Sequence, residues 1–415
     1  MRIKRDDYLN ALISRMHNGM IKVVTGIRRA GKSYLLFEIF RDYLLESGVP
    51  SDHVIMLSLD DYRNREYRSP DMLLGYIDAH TAAGGQYYVM LDEVQFLTDF
   101  EEVLISLTHM NGLDLYVTGS NSRFLSHDII TEFRGRGDEI HVFPLSFSEF
   151  LPACGKEPLY AWEDYITYGG LPAVVSMPTA QQKTAYLARL FEETYLKDII
   201  ERNRIAKTQE LEDLINVLAS SVGSLTNPPK IRATFASVLH SSISLNTIRQ
   251  YIEYLKDAFL IAEARQYDVK GRKYIGSPYK FYFEDIGLRN ARLQFRQNEP
   301  THLMENVIYN ELRKRGYQAD VGIVEHRSQS GRTRLEVDFV ANLGNQRVYI
   351  QSAYSMPDAE KRLQEERPLT NIGDAFRKII ITRDSFGYSR NENGIVTIGL
   401  IPFLLDPASL SIEHF

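Results

Sequence analysis

The segment from Met20 to Leu36, MIKVVTGIRRAGKSYLL, restricts this chain more than any other stretch. Five mostly apolar, partly β-branched residues, Ile21 to Thr25, predict a short buried strand. They run into Gly26-Ile27-Arg28-Arg29-Ala30-Gly31-Lys32-Ser33, and Tyr34-Leu35-Leu36 then opens an apolar helical run. G-x-x-x-x-G-K-[ST] between a strand and a helix is a phosphate-binding loop. Its glycines let the backbone curl so that N–H groups face a phosphate. The helix beginning near Gly31 adds the positive end of its dipole. Residues 26–34 are therefore the expected nucleotide cradle, with Lys32 reaching the β/γ-phosphates and the Ser33 hydroxyl on Mg²⁺. A Gly-punctuated turn with an exposed lysine is the blander reading, and the flanking strand and helix weigh against it.

The whole chain sets wider bounds. Its 415 residues leave room for roughly two to four domains. A net charge of −6 argues against a whole-protein grip on nucleic acid, so any such binding must come from a local patch. One cysteine, Cys154, excludes an internal disulfide and fits a reducing compartment. The basic N-terminal residues lead into no apolar signal core. No apolar run approaches the roughly twenty residues that a bilayer crossing needs. The expectation is a cytoplasmic protein with no membrane role.

Downstream, Val54 to Leu59 predicts a second buried strand, and Pro70 to His80 a helix. Tyr87-Tyr88-Val89-Met90-Leu91 is a third buried strand ending in Asp92-Glu93. An acidic pair at a strand end is commonly just a strand meeting solvent. After a phosphate-binding loop it has a specific task, with Asp92 on the Mg²⁺ shell and Glu93 orienting and deprotonating water. Leu113 to Thr118 is a further strand, ending in Gly119-Ser120-Asn121-Ser122. Ser120 and Asn121 there either sense the γ-phosphate or cap the next helix. A last strand over 139–145 follows the basic turn Arg134-Gly135-Arg136-Gly137. This order fits an α/β, doubly wound parallel sheet with ligands at the carboxyl ends of its strands. The absence of a guanine-reading motif favours ATP.

The texts GIRRAGKSYLL, YYVMLDEVQ, LYVTGSNSRFL and RGRGDEIHVFPLSFSEF resemble the prokaryotic AAA-type ATP-binding proteins whose ATPase domain is fused to a C-terminal part of poorly defined function. YGGLPAV, TYLKDIIERN, KFYFEDIGLRNA, MENVIYNEL and VDFV extend the resemblance over nearly the whole chain. It implies an ATPase core over residues 1–145 with ATP and Mg²⁺ as ligands, and it aligns Ser120 and Asn121 with the sensor strand. Arg134 and Arg136 lie where an arginine finger would act across a subunit boundary, in a homo-oligomer. The alternative for these arginines is a surface pair bonded to nearby carboxylates.

From Pro144 helical text takes over, and residues 146–207 resemble the mobile lid of such ATPases. Three helices and a basic hairpin over 208–295 have the layout of a winged helix. Asn246, Thr247 and Arg249 would open its recognition helix, and Lys270, Arg272 and Lys273 would form its wing. The expected role is contact with DNA phosphates, against docking of a protein partner or a plain solvated hairpin. Residues 296–415 follow a restriction-endonuclease-like outline of helix Glu305, strand Asp338 and strand Gln351. Two carboxylates in such a domain hold Mg²⁺ while a lysine steadies the attacking water. Here the lysine position is Ala353. Cutting is therefore not expected unless a lysine from elsewhere, such as Lys361, takes its place. Three readings of the whole follow: an ATPase coupled to a DNA- or protein-binding region, a nucleotide-gated binding module with little turnover, or an ATP-regulated nuclease.

Overall fold

The computed structural model describes residues 3–119, 135–297, 299–328, 331–385 and 387–411. Ser120, Asn121 and Arg134 lie outside them. The chain divides into two compact units, residues 1–144 with 257–259, and residues 145–256 with 260–415.

The first unit is built on five parallel strands: β1 (Ile21–Thr25), β2 (Val54–Ser58), β3 (Tyr87–Asp92), β4 (Leu113–Thr118) and β5 (Gly137–His141). Their spatial order is β2-β3-β4-β1-β5. β1 and β3 are buried at every position, as continuous apolar runs in a two-sided parallel sheet should be. The core joins Ile21, Val23, Leu57, Val89, Leu91 and Val117 to Leu73, Ile77 and Leu104 of the flanking helices. Lys22 interrupts the β1 run yet is fully buried, because its ammonium pairs with Asp114 of β4 and donates to Met20 O at 2.9 Å. The last strand ends at His141, earlier than its apolar text suggests. Val142 N makes a final bond to Thr25 O at 2.9 Å, and Pro144 has no N–H to continue the ladder.

The second unit opens with a helix Phe147–Cys154, started by a reciprocal capping box between Ser146 and Glu149. Helix Pro158–Tyr168 stops at Gly169, whose φ of 74° suits glycine. Ala180–Leu190, Phe191–Leu196 and Lys197–Asn203 run on as one long helix. Helices Thr208–Ser220, Pro228–Ser237 and Leu245–Asp257 precede the basic hairpin of β6 (Ile261–Asp268) and β7 (Lys273–Phe283).

That hairpin belongs to a large mixed sheet. β6 pairs in parallel with β8 (Gln318–Ser328) through Gln266, Tyr267 and Asp268. The sheet continues through β9 (Gly331–Leu343), β10 (Gln346–Ala353), β11 (Arg377–Thr382), β12 (Tyr388–Arg390) and β13 (Val396–Gly399). Its eight strands lie in the order β12-β13-β11-β10-β9-β8-β6-β7. Helix Pro300–Lys314 packs on β7, β8, β9 and β10. It clamps β7 through Asn306, whose side chain accepts from Phe283 N and donates to Phe283 O, both at 2.8 Å.

Candidate nucleotide site

The register of the first sheet brings the site together. Ser58 pairs with Asp92 across β2 and β3, Leu91 with Val117 across β3 and β4, and Val24 with Thr118 across β4 and β1. The carboxyl ends of β3, β4 and β1 thus stand side by side, with Thr118 between the acidic pair and the phosphate loop. At the end of β1 the chain turns through Gly26, with φ of 128°, and Gly31, with φ of 97°. Both values lie where L-residues with side chains are strained. A Cβ on Gly26 would also collide with the Val142 carbonyl. Ile27 and Ala30 are fully buried, Arg28 is half-buried, and Arg29 and Tyr34 are exposed.

Gly31 leads into a helix, Lys32–Tyr34, that continues through a wider-wound stretch, Leu35–Phe40, to Arg41–Glu46. Lys32 is buried inside the loop, and its ammonium donates to Gly26 O at 2.9 Å and Ile27 O at 3.1 Å. One residue on, Ser33 Oγ donates to Asp92 Oδ1 at 3.0 Å. A hydroxyl and a carboxylate at that separation, beside a buried ammonium, are the donor set that fits a hydrated Mg²⁺ next to a polyphosphate. Burial raises the Asp92 pKa, and bonds from Thr118 and Ser33 counter part of that cost.

Thr118 ties the acidic pair together. Its hydroxyl donates to Asp92 Oδ1 and accepts from Glu93 N at 3.0 Å. Glu93 adopts a left-handed φ of 53°, a costly conformation for a side-chain-bearing residue. Gln95 donates its amide to Glu93 Oε2. Thr118 and Gln95 carry no motif of their own. The signal for Thr118 is its position as the last residue of a strand that ends level with Asp92. Arg136 lies at the amino end of β5, where its carbonyl accepts from Ile21 N at 2.8 Å. That is the sheet edge opposite the phosphate loop of its own chain, and its guanidinium meets His109 Nε2 at 3.0 Å.

In the second unit, Arg249, Lys270, Arg272 and Lys273 are all exposed. Arg249 donates to Asn246 Oδ1 at 3.2 Å, and Lys270 to Glu325 O at 2.7 Å. Glu305 and Asp338 do converge, but on Lys280 of β7. Lys361 pairs instead with Glu365 at 2.6 Å, and Gln351 donates to Glu365 at 3.2 Å. Burial opposes the charge on Lys280, yet Glu305, Asp338 and Glu336 outweigh it and hold the ammonium above its ordinary pKa. Among the described residues no helix is long and apolar enough to cross a membrane.

A parallel sheet in this order, with a phosphate loop on β1 and an acidic pair on β3, defines an N-terminal P-loop domain of the AAA type. Comparison with known families agrees, since a model described as "AAA domain" matches residues 18–151. Two domains of unknown function follow, DUF8612 over residues 159–299 and DUF4143 over residues 301–401. A Haemophilus influenzae protein bearing the name "Uncharacterized protein" is 32% identical over 412 residues, covering 97% of this chain and 98% of its own. This chain belongs to its family. An uncharacterized protein of Methanocaldococcus jannaschii is 27% identical over 357 residues, covering 82% of this chain and 76% of its own. Among solved structures, the Aeropyrum pernix ORC1 protein in complex with DNA matches at a TM-score of 0.30 and 12% identity, over 70% of this chain and 92% of that one. A likeness at that score carries no argument about function.

Proposed function

We propose that this chain hydrolyses ATP and uses its nucleotide state to govern how the C-terminal region engages DNA or a protein partner. The observation that carries the reading is the linkage Ser33–Asp92–Thr118–Glu93, which joins the phosphate loop to the acidic pair. Loop residues 26–34 would cradle the phosphates, and the Lys32 ammonium would exchange the loop carbonyls for phosphate oxygens. Ser33 and Asp92 would hold Mg²⁺, which offsets charge on the β- and γ-phosphates. Glu93 would orient the attacking water and take its proton, while Thr118 ties the Asp92 carboxylate to the Glu93 backbone. The test pairs two variants. Lys32→Ala should abolish ATP binding, whereas Glu93→Gln should bind ATP normally and stop turnover. Equal turnover by wild type and Glu93→Gln removes the role given to Glu93.

A second reading is favoured by one contact. The Glu93 carboxylate is engaged by Gln95, which suits a nucleotide-gated binding module whose base is held back until a partner releases it. Gln95→Ala should then raise basal turnover, and DNA should raise it in wild type but no further in the variant. A DNA-contacting role for Arg249, Lys270, Arg272 and Lys273 is part of the same proposal and is supported by their exposure. Arg136 would serve as an arginine finger only in a neighbouring subunit, given its distance in the fold from its own phosphate loop.

A further inference from the structure

Lys280 is 2% exposed, and three carboxylates surround its ammonium. Glu305 Oε1 lies at 2.7 Å, Glu336 Oε1 at 2.7 Å and Asp338 Oδ1 at 3.4 Å. An ammonium has three N–H donors and no acceptor; Glu305 and Asp338 accept hydrogen bonds from it, and Glu336 adds a close ion pair. The carboxylates are held from behind. Tyr282 donates to Glu305 Oε1 at 2.6 Å, and Ser352 N donates to Asp338 Oδ2 at 2.8 Å. Glu305 and Asp338 are themselves only 5% and 7% exposed.

Carboxylates buried to this degree need a counter-charge, and in an endonuclease-like outline that charge is a divalent metal ion. The metal-assisting lysine of that outline would stand at Ala353, which is packed among Val337, Tyr349 and Ile380 instead. The cation has come from a different strand. In that outline the lysine stands beside the metal and bonds the water. Here the Lys280 ammonium bonds both Glu305 Oε1 and Asp338 Oδ1, so an ion between these carboxylates would have to displace it against strong like-charge repulsion.

We propose that Lys280 is a tethered cation standing where a divalent metal would sit between Glu305 and Asp338, so that this cluster is complete without metal and binds neither Mg²⁺ nor Mn²⁺. Lys280 thereby locks β7 to the helix Pro300–Lys314 and to β9, and removing it opens a metal site. The inference borrows the endonuclease-like outline for comparison and does not depend on the ATPase reading.

The experiment titrates the nucleotide-free full chain with Mn²⁺ and follows free Mn²⁺ by electron paramagnetic resonance. Wild type should show no Mn²⁺ site that is sensitive to Asp338→Asn. Lys280→Met should gain one site, on the order of tenfold or more tighter than anything wild type has, and lose it again when Asp338→Asn is added. Mn²⁺ bound by wild type and released by Asp338→Asn overturns the proposal, as does a folded Lys280→Met that gains no site. If Lys280→Met does not fold, the wild-type comparison with Asp338→Asn still decides between the two outcomes.

Discussion

Ser33 Oγ stands 3.0 Å from Asp92 Oδ1, joining the first turn of the loop helix to the end of a strand 59 residues away. The bond offsets part of the cost of burying Asp92, and it also sets a hydroxyl beside a carboxylate next to the phosphate loop. Their approach makes sense as two positions on one Mg²⁺ shell. Ser33→Ala should therefore raise the Mg²⁺ concentration for half-maximal ATP turnover by roughly tenfold. A Mg²⁺ titration of ATPase rate checks this, and an unchanged half-point would detach Ser33 from the metal.

Thr118→Val keeps the shape of the β4 end and removes the hydroxyl that bonds Asp92 and the Glu93 amide. Turnover should fall by about 10- to 100-fold, the usual loss when a group that orients a functional carboxylate is removed. ATP affinity should change little, because the loop residues are untouched. Steady-state kinetics beside equilibrium nucleotide binding separate the two quantities.

Lys22 and Asp114 form a buried pair at the amino side of the first sheet, where Asp114 Oδ2 also accepts from Tyr116 OH at 2.7 Å and His17 N at 3.0 Å. Lys22→Met leaves the carboxylate uncompensated and should cost about 3–5 kcal/mol of stability. Adding Asp114→Asn should recover part of that loss. Chemical denaturation of the single and double variants measures both steps.

Asp285 is buried and accepts from Gly170 N at 2.8 Å and Leu288 N at 2.9 Å, uniting the text YGGLPAV with KFYFEDIGLRNA. Burial pushes its pKa up to about 6, so the folded state binds its proton more tightly than the unfolded chain. Its contribution to stability is then fullest below the unfolded value of 3.8 and is lost as pH rises through about 6. The stability of wild type relative to Asp285→Asn should fall by roughly 2 kcal/mol between pH 4 and pH 7. Urea unfolding of both proteins across that range tests the direction, and a gap that widens with pH contradicts it.

If the basic hairpin meets DNA phosphates, Arg272→Ala and Lys273→Ala should each lower the slope of log affinity against log salt by roughly one. Lys270→Ala should do less, since its ammonium already donates to Glu325 O. Fluorescence anisotropy on a short duplex at several salt concentrations reads the slopes. Identical slopes for all variants argue for a protein partner at this surface.

The elements of the first unit were legible because each is specified within itself. β1 and β4 occupy the ranges that their apolar runs predict, and the loop motif carries its own backbone requirement in Gly26 and Gly31. β11 carries a plain strand signal in Ile379-Ile380-Ile381, whereas β12 is three exposed residues, Tyr388–Arg390, that take a strand form only by pairing with β13. The basic hairpin predicts a wing, but nothing in residues 261–283 announces that β6 will pair with β8 and extend a sheet of eight strands. Such pairing depends on a partner strand about fifty residues further on.

The amino-acid sequence by itself pointed to the phosphate loop and to the acidic pair expected to serve it, because each of those motifs is contiguous in the chain. Tertiary structure alone decided that Thr118, 26 residues from Asp92, joins the Asp92 carboxylate to the Glu93 amide. It also decided that Glu305 and Asp338 meet the ammonium of Lys280, 58 residues before Asp338. A buried charge is satisfied by whichever opposite charge the packed chain brings within reach, and spacing along the sequence does not specify that neighbour.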